Sequence, residues 1–383
     1  MKILVAPDSF KGSLTAMEAA ENIKKGILRV DSEIDVDLLP MADGGEGTVQ
    51  SLVDATEGEI IKKEVTGPLG DQVEAFYGLL GDGETAVIEM AAASGLPLVP
   101  AGKRDPLKTT TYGTGELIAS ALEQGVNKII IGIGGSATND AGVGMAQALG
   151  AEILDQNGKQ IEFGGGSLDQ IAEMNLESLD SRLKNIEILV ACDVDNPLYG
   201  ENGAAYVYAP QKGADKEMVE ILDQNLRHFN QITINKLNKD PNQIPGAGAA
   251  GGLGAGLVAF LDAELKAGVD IILDFINFEK RLKGVDLVIT GEGMLDGQSI
   301  YGKTPVGVSR SAAKKEIPVI AVAGTLGSGV EKVLEHGINS YFSIIDRPAE
   351  LKNIVERSPE LLADLSEQII RTIQIKKGGE FSQ

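Results

Sequence analysis

Residues 128–150 read Lys-Ile-Ile-Ile-Gly-Ile-Gly-Gly-Ser-Ala-Thr-Asn-Asp-Ala-Gly-Val-Gly-Met-Ala-Gln-Ala-Leu-Gly. The apolar run Ile129–Ile133 predicts a buried strand, residues 134–140 predict a tight loop, and the pattern at Ala141–Leu149 predicts a helix. Strand-like and helical runs alternate along much of the chain, which favours an α/β architecture. A glycine-rich loop before a helix exposes N–H groups at the positive end of the helix dipole, so this loop is a candidate anion site.

The composition limits the classes of protein to which this chain can belong. Its 383 residues predict two domains, and 43% of them are hydrophobic. The 48 glycines cluster in loops without a short repeat, which excludes a collagen-like chain. The formal net charge of −22 argues against nucleic acid and against anionic membranes as partners, because both attract basic surfaces.

Cysteine and histidine are too rare for several common kinds of catalytic site. The single cysteine, Cys192, excludes an intramolecular disulfide and a multi-cysteine zinc site. His228 and His336 both lie in helical patterns, which argues against a Ser-His-Asp hydrolase. The strand-like run directly after Met1 is too short for a signal peptide, and every 18-residue apolar stretch is interrupted. We therefore expect a cytoplasmic protein without a membrane span.

The strand-like runs fall into two groups. Those typical of a parallel sheet are Lys2–Ala6, Asp35–Leu39, Lys128–Ile133, Val285–Thr290, Pro318–Ala323 and Ser340–Ile344. Those separated by short turns, which predict an antiparallel patch, are Ile60–Val65, Gln72–Leu80 and Thr85–Met90. After the first strand, Thr15 and Glu18 form the capping-box pattern that begins a helix.

This order of elements predicts an α/β protein of two domains. We assign residues 1–59, 100–149 and 271–383 to a Rossmann-like domain with a doubly wound parallel sheet. We assign residues 60–99 and 150–270 to a second, inserted α/β domain. The active site is expected in the cleft between the domains, at the carboxyl ends of the strands.

Polar, glycine-containing loops follow four of the predicted strands, at residues 7–13, 43–48, 134–140 and 290–297. Because the carboxyl ends of parallel strands share one edge of a sheet, we expect these loops to converge. They offer backbone N–H groups, carboxylates, hydroxyls and lysines, but neither histidine nor cysteine. This set favours phosphoryl transfer, in which lysine and Mg²⁺ neutralise charge and a carboxylate accepts the proton of the attacking hydroxyl.

Two short motifs match nucleotide-binding patterns in an unsuitable context. Gly297–Thr304 fits GxxxxGK[ST], but the preceding strand is expected to end near Thr290, which leaves a long polar gap. Gly246–Gly251 fits GxGxxG, but it follows Pro245 and no predicted strand. The sequence therefore argues against a P-loop fold and against an NAD-dependent dehydrogenase. It leaves open whether the glycines of residues 246–256 cradle a phosphate or allow close helix packing.

Several motifs, in order along nearly the whole chain, resemble the bacterial glycerate kinase family, type I. They are Asp8-Ser-Phe-Lys-Gly12, Ala42-Asp-Gly-Gly-Glu-Gly47, Gly132-Ile-Gly-Gly-Ser-Ala-Thr-Asn-Asp140, Asp193-Val-Asp-Asn-Pro-Leu-Tyr-Gly200, Ala209-Pro-Gln-Lys-Gly213, Gly246-Ala-Gly-Ala-Ala-Gly-Gly252, Thr290-Gly-Glu-Gly293 and Gly302-Lys-Thr-Pro305. The resemblance implies ATP- and Mg²⁺-dependent phosphorylation of D-glycerate, with 2-phospho-D-glycerate favoured over the 3-phosphate. It leaves the oligomeric state open.

The resemblance and the loop chemistry together suggest roles for particular residues. We expect catalytic roles for Lys11, Asp193, Asp296 and Lys303. The residues expected to bind substrate or phosphate are Asp8, Ser9, Gly44, Gly45, Gly134, Gly135, Ser136, Thr138, Asn139, Gly291 and Gly293. The expected metal ligands are Asp43, Glu46 and Glu292. For each carboxylate a hydrogen bond that only stabilises its loop is the alternative, and the sequence does not separate metal ligands from the base.

Two other functions account for part of the same pattern. A kinase of another small hydroxy acid would need the same loops, and only a comparison of substrates separates the two. A non-catalytic anion-binding protein explains the glycine-rich loops but leaves the acidic groups beside the lysines without a purpose. Absence of ATP turnover together with tight ligand binding would favour that reading.

Overall fold

The computed structural model describes residues 1–378, and these residues form two compact units. The first unit contains Met1–Asp43 and the chain from Val269 onward, and the second contains Gly44–Gly268. Within residues 1–378, no helix combines the length and the apolar character that a membrane span requires.

The strands and helices follow one another in the order expected of an α/β chain. The strands are β1 (Lys2–Pro7), β2 (Asp35–Leu38), β3 (Glu59–Thr66), β4 (Gln72–Leu79), β5 (Thr85–Glu89), β6 (Lys128–Gly132), β7 (Glu152–Leu154), β8 (Glu173–Asn175), β9 (Glu187–Ala191), β10 (Glu264–Lys266), β11 (Leu287–Leu295), β12 (Val319–Leu326) and β13 (Ser340–Ser343). The α-helices are α1 (Ala16–Val30), α2 (Thr48–Thr56), α3 (Ala91–Ser94), α4 (Tyr112–Glu123), α5 (Val143–Ala148), α6 (Ala204–Tyr208), α7 (Lys216–Leu237), α8 (Ala249–Leu261), α9 (Gly268–Phe275), α10 (Phe278–Arg281), α11 (Thr304–Ala313) and α12 (Leu351–Gly378).

The first unit contains a doubly wound parallel sheet. Its strand order is β13-β12-β11-β1-β2, and every neighbouring pair is parallel. The chain moves outward from β1 to β2 in one direction and from β11 to β13 in the other, so strand order reverses between β1 and β11. Right-handed crossovers then place the helices after β1 and β11 on opposite faces. Ligands of such folds bind at this reversal, beyond the carboxyl ends of the strands.

Two helices with apolar faces cover one side of this sheet. Helix α1 begins with the predicted capping box, in which Glu18 N–H donates to Thr15 Oγ1 and Thr15 N–H donates to the Glu18 carboxylate. Its buried Ile23 and Ile27 share a core with Leu362 and Ile370 of α12. Gly26 lies against the backbone of Ala363, so a side chain at this position would collide with α12.

The second unit contains a mixed sheet of order β10-β9-β6-β5-β4-β3. The pairs from β10 to β5 are parallel, and the pairs β5–β4 and β4–β3 are antiparallel. The expected antiparallel patch is therefore confirmed, and it forms one side of this sheet. The central strands β5 and β6 are buried on both faces, as their continuous apolar sequence predicts.

The division of the chain differs from the expected one. Residues 44–59 and 100–149 were assigned to the Rossmann-like domain, whereas they lie in the second unit, where β6 pairs with β5 and β9. The doubly wound sheet is therefore built from the two ends of the chain without a middle segment. The physical reason is that a buried parallel strand has the same local pattern in either sheet, so only long-range pairing decides which sheet it joins.

Several element boundaries also differ from the sequence expectation. Strand β11 continues past Thr290 to Leu295, because Gly291–Leu295 pairs with Val322–Leu326 of β12. The helix expected at 141–149 begins at Val143, since Ala141 has a φ of 52° and Gly142 a φ of 73°. Val330–His336 forms a 3₁₀ helix, and α12 begins at Leu351, ahead of its internal Pro359.

Candidate active site

A cluster of carboxylates and one lysine lies at the strand reversal of the first unit. Asp8 directly follows β1, and Glu292 lies on the neighbouring strand β11. Both are 8% exposed. The negative charge of Asp43 raises the pKa of both carboxyls, which brings the three groups into one electrostatic cluster. The sequence expectation that Asp8, Asp43 and Glu292 lie near one another is thus consistent with the geometry of this unit.

Asp8 is held by two short hydrogen bonds. The hydroxyl of Thr304, the first residue of α11, donates to Asp8 Oδ2 at 2.6 Å, and Ser9 N–H donates to Oδ1 at 2.6 Å. The pKa of Asp8 is raised to about 7, chiefly by burial and then by the charge of Asp43, while the two hydrogen bonds oppose the rise. Asp8 therefore holds or releases a proton close to neutral pH.

Lys303 is the cation of this cluster. Its Nζ lies 3.3 Å from Glu292 Oε2 and 3.8 Å from Asp296 Oδ1. Ser299 Oγ donates to Glu292 Oε1 at 2.7 Å. Burial raises the pKa of Glu292, whereas the positive charge of Lys303 and the Ser299 hydroxyl lower it. Lys303, Glu292 and Asp296 thus lie in one ion-pair network.

The GxxxxGK[ST] segment has the strand-loop-helix context that the sequence analysis did not expect. Strand β11 ends at Leu295 and α11 begins at Thr304, so the gap before the motif is short. The loop N–H groups, however, do not form an open phosphate cradle. Those of Gly297, Ser299 and Tyr301 donate to loop carbonyls at 3.0 to 3.1 Å. The long gap predicted before the motif is therefore wrong, but the hydrogen bonding of the loop still argues against a P-loop.

The remaining expected residues of the first unit lie close to this cluster. Gly291 packs against the carbonyl of Val322, so a Cβ there would collide with β12. A Cβ on Gly293 would approach Lys11 N to 3.3 Å, so Gly293 lies beside the Phe10–Lys11 backbone. Lys11 itself is exposed. These two glycines therefore allow close backbone approach.

The glycine-rich loop 134–140 follows β6 of the second unit. Gly134 and Gly135 are exposed, and within residues 1–378 their N–H groups donate to no other group. Ser136, Thr138 and Asn139 are buried. In the described part of the chain, neither the Thr138 hydroxyl nor the Asn139 side-chain amide has a hydrogen-bond partner. Buried polar groups are normally satisfied, so this loop has unused hydrogen-bonding capacity.

One helix begins after loop 134–140 and another after loop 43–48. The N–H groups at both helix starts already donate to carboxylates of the chain. Asp140 accepts the N–H groups of Gly142 and Gly144, before and within α5. Glu89 Oε1 accepts the N–H groups of Gly47 (3.1 Å) and Val49 (2.9 Å) at the start of α2. The expectation that an anion binds at the start of the helix after loop 134–140 is therefore wrong. The exposed N–H groups of Gly134 and Gly135, in the loop itself, remain available.

The 43–48 loop contributes packing as well as charge. Gly44 has a φ of 90° and lies against Ala191 and Gly132, the last residues of β9 and β6, where a Cβ would collide. The Gly45 carbonyl accepts the Thr48 hydroxyl at 2.7 Å. Glu46 is exposed, and its charge raises the pKa of Glu89, which burial raises most.

Asp193 and the glycines of residues 246–256 also receive structural roles. Asp193 Oδ1 accepts Gly268 N–H at 3.0 Å, so this exposed carboxylate caps the start of α9. Gly251 lies against Thr138 and Asn139, and Gly256 lies against the Ala141 carbonyl, where side chains would collide. Close packing therefore accounts for these glycines better than a phosphate cradle does.

One buried residue of the second unit was absent from the expected site. Lys212 is 1% exposed, and its Nζ donates to Ser136 Oγ at 2.7 Å and to the Thr138 carbonyl at 2.6 Å. Burial lowers the pKa of Lys212 to about 7, and the nearby charge of Asp140 opposes this change. In the sequence the only signal was its place within Ala209–Gly213, where nothing indicated a contact with the 134–140 loop.

The carboxylates of the first unit are suitable ligands for Mg²⁺ of the kind that kinases use. No group of three or more His, Cys, Asp or Glu side chains within residues 1–378 has the arrangement of a protein-only metal site. Kinase Mg²⁺ is instead held by one or two carboxylates together with substrate phosphates. Asp43 and Glu292 can supply such carboxylates, and the excess of negative charge that raises the pKa of Asp8 favours a cation there.

A doubly wound sheet with carboxylates and lysine at its strand reversal has the composition of a kinase site, where positioning and charge neutralisation dominate catalysis. The chain belongs to the glycerate kinase family, whose family model matches residues 3–374. The α/β fold with a parallel sheet, the kinase class and the resemblance to glycerate kinases are thereby confirmed.

Individual relatives match the chain over nearly its whole length. Glycerate kinase from Bacillus subtilis (strain 168) is 53% identical over 98% of this chain and 99% of its own. Glycerate 2-kinase from Escherichia coli (strain K12) is 51% identical over 98% of both chains. A crystal structure assigned as glycerate kinase 2 from Salmonella typhimurium LT2 superposes with a TM-score of 0.92 at 48% identity. It covers 98% of this chain and 99% of that one.

Proposed function

We propose that this chain transfers the γ-phosphate of ATP to a hydroxyl group of D-glycerate. The observation that carries the proposal is the identity of about half of all residues to glycerate kinases over almost the entire chain. The E. coli relative is a glycerate 2-kinase, and this favours 2-phospho-D-glycerate as the product.

The charges of the first unit suit this reaction. Phosphate groups and the glycerate carboxylate are anions, and phosphoryl transfer develops further negative charge on the phosphoryl oxygens. We propose that Lys303 and the exposed Lys11 neutralise these anions, with Lys303 oriented by Asp296 at 3.8 Å. We propose that the hydrogen-bonded Asp8 and Ser9, with Gly291 and Gly293, shape the same anion-binding surface.

We propose that Asp43 and Glu292 hold Mg²⁺, with Glu46 as a further candidate on the second unit. Bound Mg²⁺ supplies positive charge to the phosphate oxygens and would lower the pKa of Asp8. The proton of the attacking hydroxyl passes to a carboxylate, for which Asp193 and Asp296 are the candidates. Gly44, Gly45, Gly134, Gly135, Ser136, Thr138 and Asn139 are the proposed substrate-binding positions of the second unit.

The proposal is tested by ³¹P NMR of the purified protein with ATP, MgCl₂ and D-glycerate. A new phosphomonoester signal is expected, and its coupling to one proton identifies the 2-phosphate, whereas coupling to two protons identifies the 3-phosphate. A parallel reaction with other small 2-hydroxy acids measures the preference for glycerate. Product from another acid in the absence of any from glycerate would replace the proposed substrate. ATP binding without product from any acid would favour a non-catalytic anion-binding protein.

A further inference from the structure

A buried lysine of the second unit has no part in the roles proposed above. Lys212 ends the 3₁₀ turn Pro210–Lys212, and its side chain reaches back 76 residues to Ser136 and 74 residues to Thr138. Both acceptors belong to loop 134–140. A single amine therefore connects this loop to a turn that is distant in sequence.

The residue between these two acceptors, Ala137, is held by its own backbone groups. Ala137 N–H donates to the Ser94 carbonyl at 2.9 Å, and the Thr109 hydroxyl donates to the Ala137 carbonyl at 2.8 Å. Lys212 binds the residues directly before and after Ala137. The loop is thus fixed from both sides at its buried residues, while Gly134 and Gly135 remain exposed with available N–H groups.

The electrostatic surroundings of Lys212 are unusual for a residue that only stabilises the fold. Asp140 is the nearby anion, but its carboxylate already accepts the N–H groups of Thr111, Gly142 and Gly144. Burying an amine is unfavourable, so a lysine with no free carboxylate beside it is a costly way to fill an apolar interior. A lysine here is therefore better explained by what it does to the loop.

We propose that Lys212 is a positioning residue that fixes loop 134–140 so that the N–H groups of Gly134 and Gly135 can bind an anionic oxygen group of a substrate. The inference rests on the proposed function, which supplies two such groups: the phosphates of ATP and the carboxylate of D-glycerate. Donation to Ser136 Oγ and to the Thr138 carbonyl holds the curvature of the loop, and Lys212 itself makes no substrate contact because it is buried.

The test compares Lys212→Met with a matched control, Lys239→Met. Lys239 lies in the same unit, and its Nζ donates to the Ala259 carbonyl at 2.7 Å, at the end of α8. Calorimetry measures the affinity of each protein for ATP with MgCl₂ and, separately, for D-glycerate. We expect K212M to bind one of the two at least about tenfold more weakly, with KM for that substrate rising more than kcat falls. K239M should match the wild type in both affinities.

Measuring the two ligands separately shows which of them supplies the anionic group that the loop binds. Weaker binding of ATP alone assigns the loop to phosphate, and weaker binding of D-glycerate alone assigns it to the carboxylate; both results support the proposal. Unchanged affinity of K212M for both ligands overturns it. Wild-type protein that forms no phosphoglycerate contradicts the proposed function instead, so the two failures are distinguishable.

A smaller change covers the case in which K212M unfolds. If its Tm falls by more than about 10 °C, Ser136→Ala decides, because it removes one acceptor of Lys212 and little volume. S136A should weaken binding of the same ligand. Where K212M folds, the double variant should lose less affinity than the two single losses combined, since both remove one shared interaction. Wild-type affinity of S136A, or additive losses in the double variant, would overturn the proposal.

Discussion

The hydroxyl of Thr304 donates to Asp8 Oδ2 at 2.6 Å and joins residues 296 positions apart in sequence. Thr304 begins α11, whereas Asp8 follows β1, so the bond fixes the helix to the strand reversal where Glu292 and Lys303 also lie. Together with the ion pair between Lys303 and Glu292, it joins the start of α11 to the carboxylate cluster.

Thr304→Val should weaken both the fold and the activity. The change keeps the shape of the side chain but leaves the buried Asp8 oxygen without its donor, which costs about 1–3 kcal/mol. Urea unfolding measures this loss, and steady-state kinetics should show a lower kcat. Thr233→Val is the control, because the Thr233 hydroxyl is equally buried but bonds to the Phe229 carbonyl of α7 and to Met174 Sδ, both in the second unit. Equal effects of the two variants on kcat would contradict the role given to Thr304.

Asp8→Asn should change how stability depends on pH. The pKa of Asp8 is raised from 3.8 to about 7, so the folded protein binds this proton more tightly than the unfolded chain does. The resulting stabilisation is complete below pH 4 and is lost as pH rises through 7. In metal-free buffer, D8N should therefore lose less stability than the wild type between pH 4 and 8, with a Tm difference of about 3 °C or more. Parallel Tm curves for the two proteins would contradict the raised pKa.

Lys303→Met should lower kcat by about 10²–10³-fold, the usual effect of removing one group that stabilises transition-state charge. Asp296→Asn should also lower kcat, because Asp296 pairs with Lys303 and is a candidate for the base. Lys314→Met, at the exposed other end of α11, is the matched control and should keep wild-type kinetics. A coupled assay measures kcat for each variant. If K303M keeps the same kcat as K314M, Lys303 has no catalytic role.

Asp193→Asn separates the structural and chemical roles of this residue. Asparagine keeps an Oδ1 that can accept Gly268 N–H, so the start of α9 and the Tm should be preserved. If Asp193 accepts the substrate proton, turnover should fall sharply in this well-folded variant. A near-normal rate would leave Asp193 with its capping role alone, and Asp296 would then be the remaining candidate base.

Local pattern predicted most elements because their signals are short-range. The Thr15–Glu18 capping box and the antiparallel patch of β3 to β5 depend on residues close in sequence, and both are as expected. Strand β11 was expected to end at Thr290, because Gly291-Glu-Gly293 has the composition of a loop. Pairing with β12 overrides that local preference, so Glu292 lies within a strand.

The predictions that failed at the site failed because they depend on contacts between residues far apart in the sequence. Residues 100–149 were assigned to the wrong unit, because nothing within β6 shows whether it pairs with β1 or with β5 and β9. The bond from the start of α2 to the Glu89 carboxylate and the contact of Lys212 with Ser136 likewise depend on residues distant in sequence. Residue types at the site were predictable, whereas their partners were not.

The construction of the first unit from the two chain ends has a consequence during protein synthesis. Strand β1 ends at residue 7, but its neighbour β11 begins at residue 287. At translation rates of 5–20 residues per second, the ribosome needs roughly 15–60 s to add the intervening chain. Through this interval the apolar β1 has only β2 as a sheet partner, and residues 44–268 are made before β11 is available. We therefore expect the nascent N-terminal segment to keep apolar surface exposed until β11 is made.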